Sequence, residues 1–122
     1  MANGIDDYLR FNTEALKLRS YRQELIATNI ANADTPNYKA VDVDFTQALK
    51  AATSGPAATP GTPAVERPQL LYRQPGQAAL DGNSVEMDAE QAKFADNTVR
   101  YEAAMRFLSA QLKTLLAAVQ GQ

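Results

Sequence analysis

Asp42 with Asp44 and Asp88 with Glu90 are carboxylate pairs two residues apart. Paired carboxylates are what general acid–base hydrolysis uses, one protonated and one ionised. Here each pair has a competing structural reading. Asp88 reads as the N-cap of a helix that starts at residue 89, with Gln91 completing a capping box. Asp44 followed by Gln47 reads the same way for a shorter helix. The chain has no His and no Cys. That removes thiol nucleophiles and most zinc, haem and iron–sulfur chemistry. Gly55, Gly61, Gly76 and Gly82 show no phosphate-cradling spacing. Ser20, Ser54, Ser84 and Ser109 lack the setting of a nucleophile elbow. The sequence therefore predicts no catalytic residue, no cofactor and no metal ligand, and a protein that is not an enzyme.

Binding chemistry is bounded in the same way. The net charge of the 122 residues is −2, which gives no electrostatic footprint for nucleic acid. Arg19, Tyr21 and Arg22 could suggest a basic stripe, but Glu14 and Glu24 on the same helix make it a solvated or interfacial face. The N-terminus is acidic where a signal peptide would be basic, and no apolar core follows it. Ala2 excludes N-myristoylation. No run of about 18 apolar residues occurs, so no direct membrane insertion is expected. Taken alone, these signals favour the cytosol.

The elements that carry these residues are two long helices and what lies between. Over residues 5–31, Ile5, Leu9, Leu16, Ile26 and Ile30 return to one side at 100° per residue. Tyr8, Phe11, Ala15 and Leu18 widen that side beyond what a two-helix seam requires. Asn29, Asn32 and Asp34 compete for backbone hydrogen bonds, and Pro36 biases Thr35 away from helix, so the chain turns over 34–37. A short helix is expected over 45–52. Residues 51–65 carry no charge, three prolines and two glycines, a linker composition. A short strand is expected over 69–73 and a turn at Asp81-Gly82-Asn83.

From 89 to 120 a second helix carries a heptad seam. Phe94, Tyr101, Leu108 and Leu115 form one register, and Thr98, Met105, Leu112 and Val119 the other, with steps alternating four and three. Gly121 ends it. The expected fold is all-α: long N- and C-terminal helices pairing as a coiled-coil hairpin around an irregular, partly flexible middle. The division is 1–33 for the first helix, 34–50 for turn and short helix, 51–68 for the linker, 69–88 for an irregular segment and 89–122 for the last helix. The seam suits an intramolecular hairpin and packing on further copies alike. The proposed interface residues are Leu9, Leu16, Ile26, Ile30, Phe94, Tyr101, Met105, Leu108, Leu112, Leu115 and Val119.

Four stretches carry a family resemblance. ATNIANADTPNYKA at 27–40 resembles the N-terminal signature of bacterial flagellar rod and hook proteins. VDVDFTQAL at 41–49, LYRQPGQAALDGNSVEMDAE at 71–90 and FADNTVRYEAAMRFL at 94–108 are similar to the proximal-rod members of the flagellar basal-body rod family. The resemblance implies a structural subunit of the periplasm-crossing rod, exported unfolded through the flagellar type III apparatus without a cleaved signal, which displaces the cytosolic expectation. It implies the MS ring, its junction protein and other rod subunits as partners, with homo-oligomerisation inside the rod. Asn29, Asn32, Thr35, Pro36 and Tyr38 would then fix the signature bend. The rival reading of two long helices is a small adaptor or secretion chaperone that binds one partner helix.

Overall fold

The computed structural model describes residues 4–54, 70–72, 80 and 82–121. Three helices and two short strands follow in the order α1 (Gly4–Ala31), β1 (Val41–Val43), α2 (Phe45–Ser54), β2 (Leu70–Tyr72) and α3 (Met87–Gln120). The linker expected beyond Ser54, Gln69 and Arg73 of the expected strand, Asp81 of the expected turn, and the side chain of Ile5 lie outside the described residues.

α1 and α3 pair antiparallel. Tyr8 meets Phe107 edge-on at 6.4 Å, Gln23 is bonded to Thr98, and Asn29 is bonded to Glu90. α1 begins at Gly4, about one turn before Tyr8, whereas α3 continues from Phe107 to Gln120. Roughly the last two turns of α3 therefore project past the end of α1. This is the expected helical hairpin, with one arm longer than the other.

The local signals explain the boundaries. Asp44 caps α2: its Oδ1 accepts the Gln47 amide at 3.1 Å and its carbonyl accepts the Ala48 amide. α2 runs on to Ser54, so residues 51–54 of the expected linker are helical. α3 ends at Gly121, left-handed at φ 71°, whose amide reaches the Ala117 and Ala118 carbonyls. Its start differs from expectation. The N-cap is Glu86, which makes no side-chain capping bond, and Asp88 sits inside the first turn. There the carboxylates of Asp88 and Glu90 face the positive end of the helix dipole, which favours them without capping geometry.

The middle of the chain folds back on α1. β1 and β2 form an antiparallel pair with Val41, Asp42 and Val43 opposite Tyr72, Leu71 and Leu70. Asp42 anchors β1 to α1 by accepting from Arg22 Nε at 3.1 Å. The Arg19 guanidinium lies 4.2 Å above the Phe45 ring, joining α2 to the same helix. The buried apolar core of the described residues is small: Leu18, Ile26, Ala40 and Val43.

Candidate functional site: the signature bend and the two faces of the last helix

α1 ends where backbone carbonyls run out of helical partners. Asn32 begins the closure: its side-chain amide donates to the Thr28 carbonyl at 2.8 Å, and its Oδ1 accepts the Thr35 hydroxyl at 3.1 Å. The Tyr38 amide then donates to the Thr35 carbonyl. Pro36 and Asn37, at φ 62°, fill the two central places, the residue pattern of a type II turn. The turn thus lies one residue later than the sequence places it. Thr35 and Pro36 are exposed, Asn32 and Tyr38 half-buried.

Asn29 is the hub beneath that turn, and it is fully buried. Its Nδ2 donates to the Val41 carbonyl at 2.7 Å and to Glu90 Oε2 at 3.2 Å. Its Oδ1 accepts the Val41 amide at 3.1 Å and the Tyr38 hydroxyl at 3.2 Å. Every hydrogen-bonding position of the carboxamide is used. One side chain so joins α1, the turn, β1 and α3. Burial raises the Tyr38 hydroxyl above the usual tyrosine value of 10.0.

A second segment clasps the bend from outside. Asn83 Nδ2 reaches the carbonyls of Asn32, Ala33 and Thr35 at 2.7–3.0 Å, and its Oδ1 accepts the Val85 amide at 2.7 Å. Ser84 donates its amide to the Tyr38 carbonyl and accepts the Ala40 amide on its hydroxyl. Lys39 Nζ donates to the Gly82 carbonyl at 2.7 Å. Gly82 is left-handed at φ 75°, and a Cβ there would collide with the Asn37 carboxamide. Two stretches more than forty residues apart in sequence are one structural unit.

This arrangement accounts for the carboxylates. Asp42 is held by Arg22, Asp44 caps α2, Glu90 is buried against Asn29, and Asp88 points to solvent. Neither pair converges on a shared space, so the site is a joint.

Among the proposed interface residues, Ile26 is fully buried and Leu9, Leu16 and Ile30 are half-buried. On α3, Tyr101 and Leu108 are half-buried alongside α1, and Leu115 is half-buried on the part of α3 that extends past it. In the other register Thr98 is half-buried and bonded to Gln23, whereas Met105 is 43%, Leu112 45% and Val119 84% exposed; Phe94, of the first register, is 38% exposed. The positions facing α1 are Glu90, Asn97, Ala104 and Gln111, also spaced by seven. Sequence reading missed this polar and small register, together with Asn83 and Ser84. Buried asparagines and glutamates carry no apolar signal, and only a polar residue recurring at a heptad position hints at them.

A helical hairpin whose joint is a hydrogen-bonded bend, and whose long arm leaves Met105, Leu112, Leu116 and Val119 exposed, suits an assembling structural subunit. Comparison with known proteins specifies which. Residues 9–39 match the flagella basal body rod protein family. The chain is 44% identical to the flagellar basal body rod protein FlgB of Salmonella typhimurium, over 99% of both chains. It is 44% identical to FlgB of Escherichia coli K12 and 42% identical to FlgB of Cereibacter sphaeroides, in each case over 98% of both chains. The chain belongs to the FlgB family of flagellar basal body rod proteins, which are structural proteins and not enzymes. No described helix is long and apolar enough to cross a membrane.

Proposed function

We propose that this protein is a proximal-rod subunit that builds the periplasmic rod around the export channel. In this reading the outward register of α3, together with the half-buried face of α1, packs against other rod subunits and other copies of the chain. The innermost neighbours are the MS ring and its junction protein. The subunit reaches the rod through the flagellar type III apparatus without a cleaved signal. The observation that carries the reading is the overhang of α3. Leu112, Leu116 and Val119 project past α1 and stay 45–84% exposed. Apolar side chains at helical spacing, left in water, mark an interaction surface. Partnership with other rod components is also supported by the relatives' names. No feature of the described residues favours an adaptor or chaperone over this reading.

The test is complementation of a strain lacking the gene. The unsubstituted chain restores swimming, and Val119→Asp does not, although Val119 touches little within its own subunit. Full swimming with Val119→Asp contradicts the reading.

A further inference from the structure

Asn97 is fully buried in the α1–α3 seam. Its Nδ2 donates to the Arg19 carbonyl at 2.9 Å and to Gln23 Oε1 at 2.8 Å. Gln23 Nε2 donates in turn to the Thr98 hydroxyl at 2.7 Å, and that hydroxyl donates to the Phe94 carbonyl at 2.8 Å. This is a closed polar inlay between two helices, and it is costly, because Asn97 Oδ1 has no hydrogen-bond partner among the described residues. Tyr101 and Leu108 are half-buried at this rotation, yet the adjoining apolar positions stay exposed. The residues that share the heptad position of Asn97 are Glu90, Ala104 and Gln111, whereas in the next position Thr98 alone meets α1, and Met105 and Leu112 are exposed. A roll of α3 by part of one residue's arc would add Met105 to Tyr101 and Leu108 against α1 and so bury more apolar area.

We infer that Asn97 and Gln23 are positioning residues that fix the rotation of α3, turning Glu90, Asn97 and Ala104 to α1 beside Tyr101 and Leu108 and holding Met105 and Leu112 outward. A buried polar residue at one seam position is a known way to fix helix register at a cost in stability. The Arg19 carbonyl and the Gln23 carboxamide accept from Asn97 at one azimuth of α3 only. A roll toward Met105 would strand the Asn97 amide. That the register held outward serves neighbouring rod subunits rests on the function proposed above; the rotational lock itself does not.

The chain has no cysteine, so single engineered thiols report the rotation directly. The substitutions Ala104→Cys and Met105→Cys, made in separate chains, fall on adjacent residues, the first half-buried toward α1 and the second exposed. In the purified full-length chain, maleimide labels the thiol of the Met105→Cys variant faster than that of the Ala104→Cys variant. Adding Asn97→Ala slows labelling of the former and accelerates labelling of the latter, each by about fivefold, the scale of one lost net hydrogen bond. Asn97→Gln, which keeps an amide donor, restores part of the difference. A structural loss without rotation accelerates both thiols together, and that result overturns the inference. So does equal labelling of the two thiols beside the native Asn97, or labelling unchanged by Asn97→Ala. Swimming is not part of the readout, so a failed rod assignment and a failed lock give different results.

Discussion

The Asn29 carboxamide lies 3.2 Å from Glu90 Oε2, and both side chains are fully buried. This contact ties the last turn of α1 to the first turn of α3 across 61 positions of sequence. The same carboxamide satisfies both the amide and the carbonyl of Val41. Asn29→Ala therefore leaves buried polar groups unpaired on three elements. Chemical unfolding of the purified chain is expected to show a loss of about 2–4 kcal/mol. Asn29→Asp is expected to lose at least as much, because it removes the donor and sets a second carboxylate against Glu90. Stability equal to the unsubstituted chain in both variants would remove Asn29 from its place as the hub.

Gly82 and Asn37 form a second checkable pair. Both are left-handed, and they are so close that no side chain fits at Gly82. Gly82→Ala is expected to cost about 1–3 kcal/mol through the collision and the positive φ together. Asn37→Gly suits its own φ of 62° and clears the space. The double variant Gly82→Ala/Asn37→Gly should recover part of the loss. Additive effects in the thermal midpoints would mean that the two residues do not meet.

The bend also has a pH limit at its alkaline side. Burial raises the Tyr38 hydroxyl above 10.0, so the folded chain holds that proton more tightly than the unfolded chain. The stabilisation is fully present below the unfolded value and is lost as pH rises through the folded one. Ionisation also ends the donation from Tyr38 to Asn29. Unfolding midpoints measured from neutral to alkaline pH should fall less for Tyr38→Phe than for the unsubstituted chain. At neutral pH that variant loses about 1 kcal/mol for the missing bond.

One inner and one outer position of α3 should separate folding from assembly. Leu108 is half-buried toward α1 and Leu112 is 45% exposed beyond it. Leu108→Asp is expected to lower the thermal midpoint and abolish swimming. Leu112→Asp is expected to leave stability within about 0.5 kcal/mol of the unsubstituted chain, as for other surface changes, and still abolish swimming. Circular dichroism melts and motility on soft agar read the two effects apart.

The parts of this fold legible in the sequence are those with local causes. Pro36 and the asparagines before it stop α1, Asp44 caps α2, and Gly121 ends α3. The apolar periodicity found both long helices because 3.6-residue recurrence needs no partner to be seen. The rest depends on contacts distant in sequence. Asn83 reaches back 48–51 positions to the end of α1, and Gln23 pairs with Thr98 across 75. Nothing local marks an asparagine as a clasp instead of a loop residue. The heptad count also preferred Met105 and Leu112 for the seam, since pattern reading ranks apolar positions first. The inner register uses Asn97 and Ala104, and only the three-dimensional pairing reveals it. The DGNSVEMD stretch carried family resemblance before its physical role was visible. Its Asn83 and Ser84 are what close the bend.

The central claim is that the outward register of α3 packs on neighbouring subunits in the rod. A side-chain-resolved reconstruction of basal bodies built with this chain tests it most directly. Density for α1 and α3 is expected in the rod, with Met105, Leu112 and Val119 buried against another subunit and Asn97 still facing its own α1. Density in which those three side chains line open solvent, or in which this chain is missing from the rod, would contradict it.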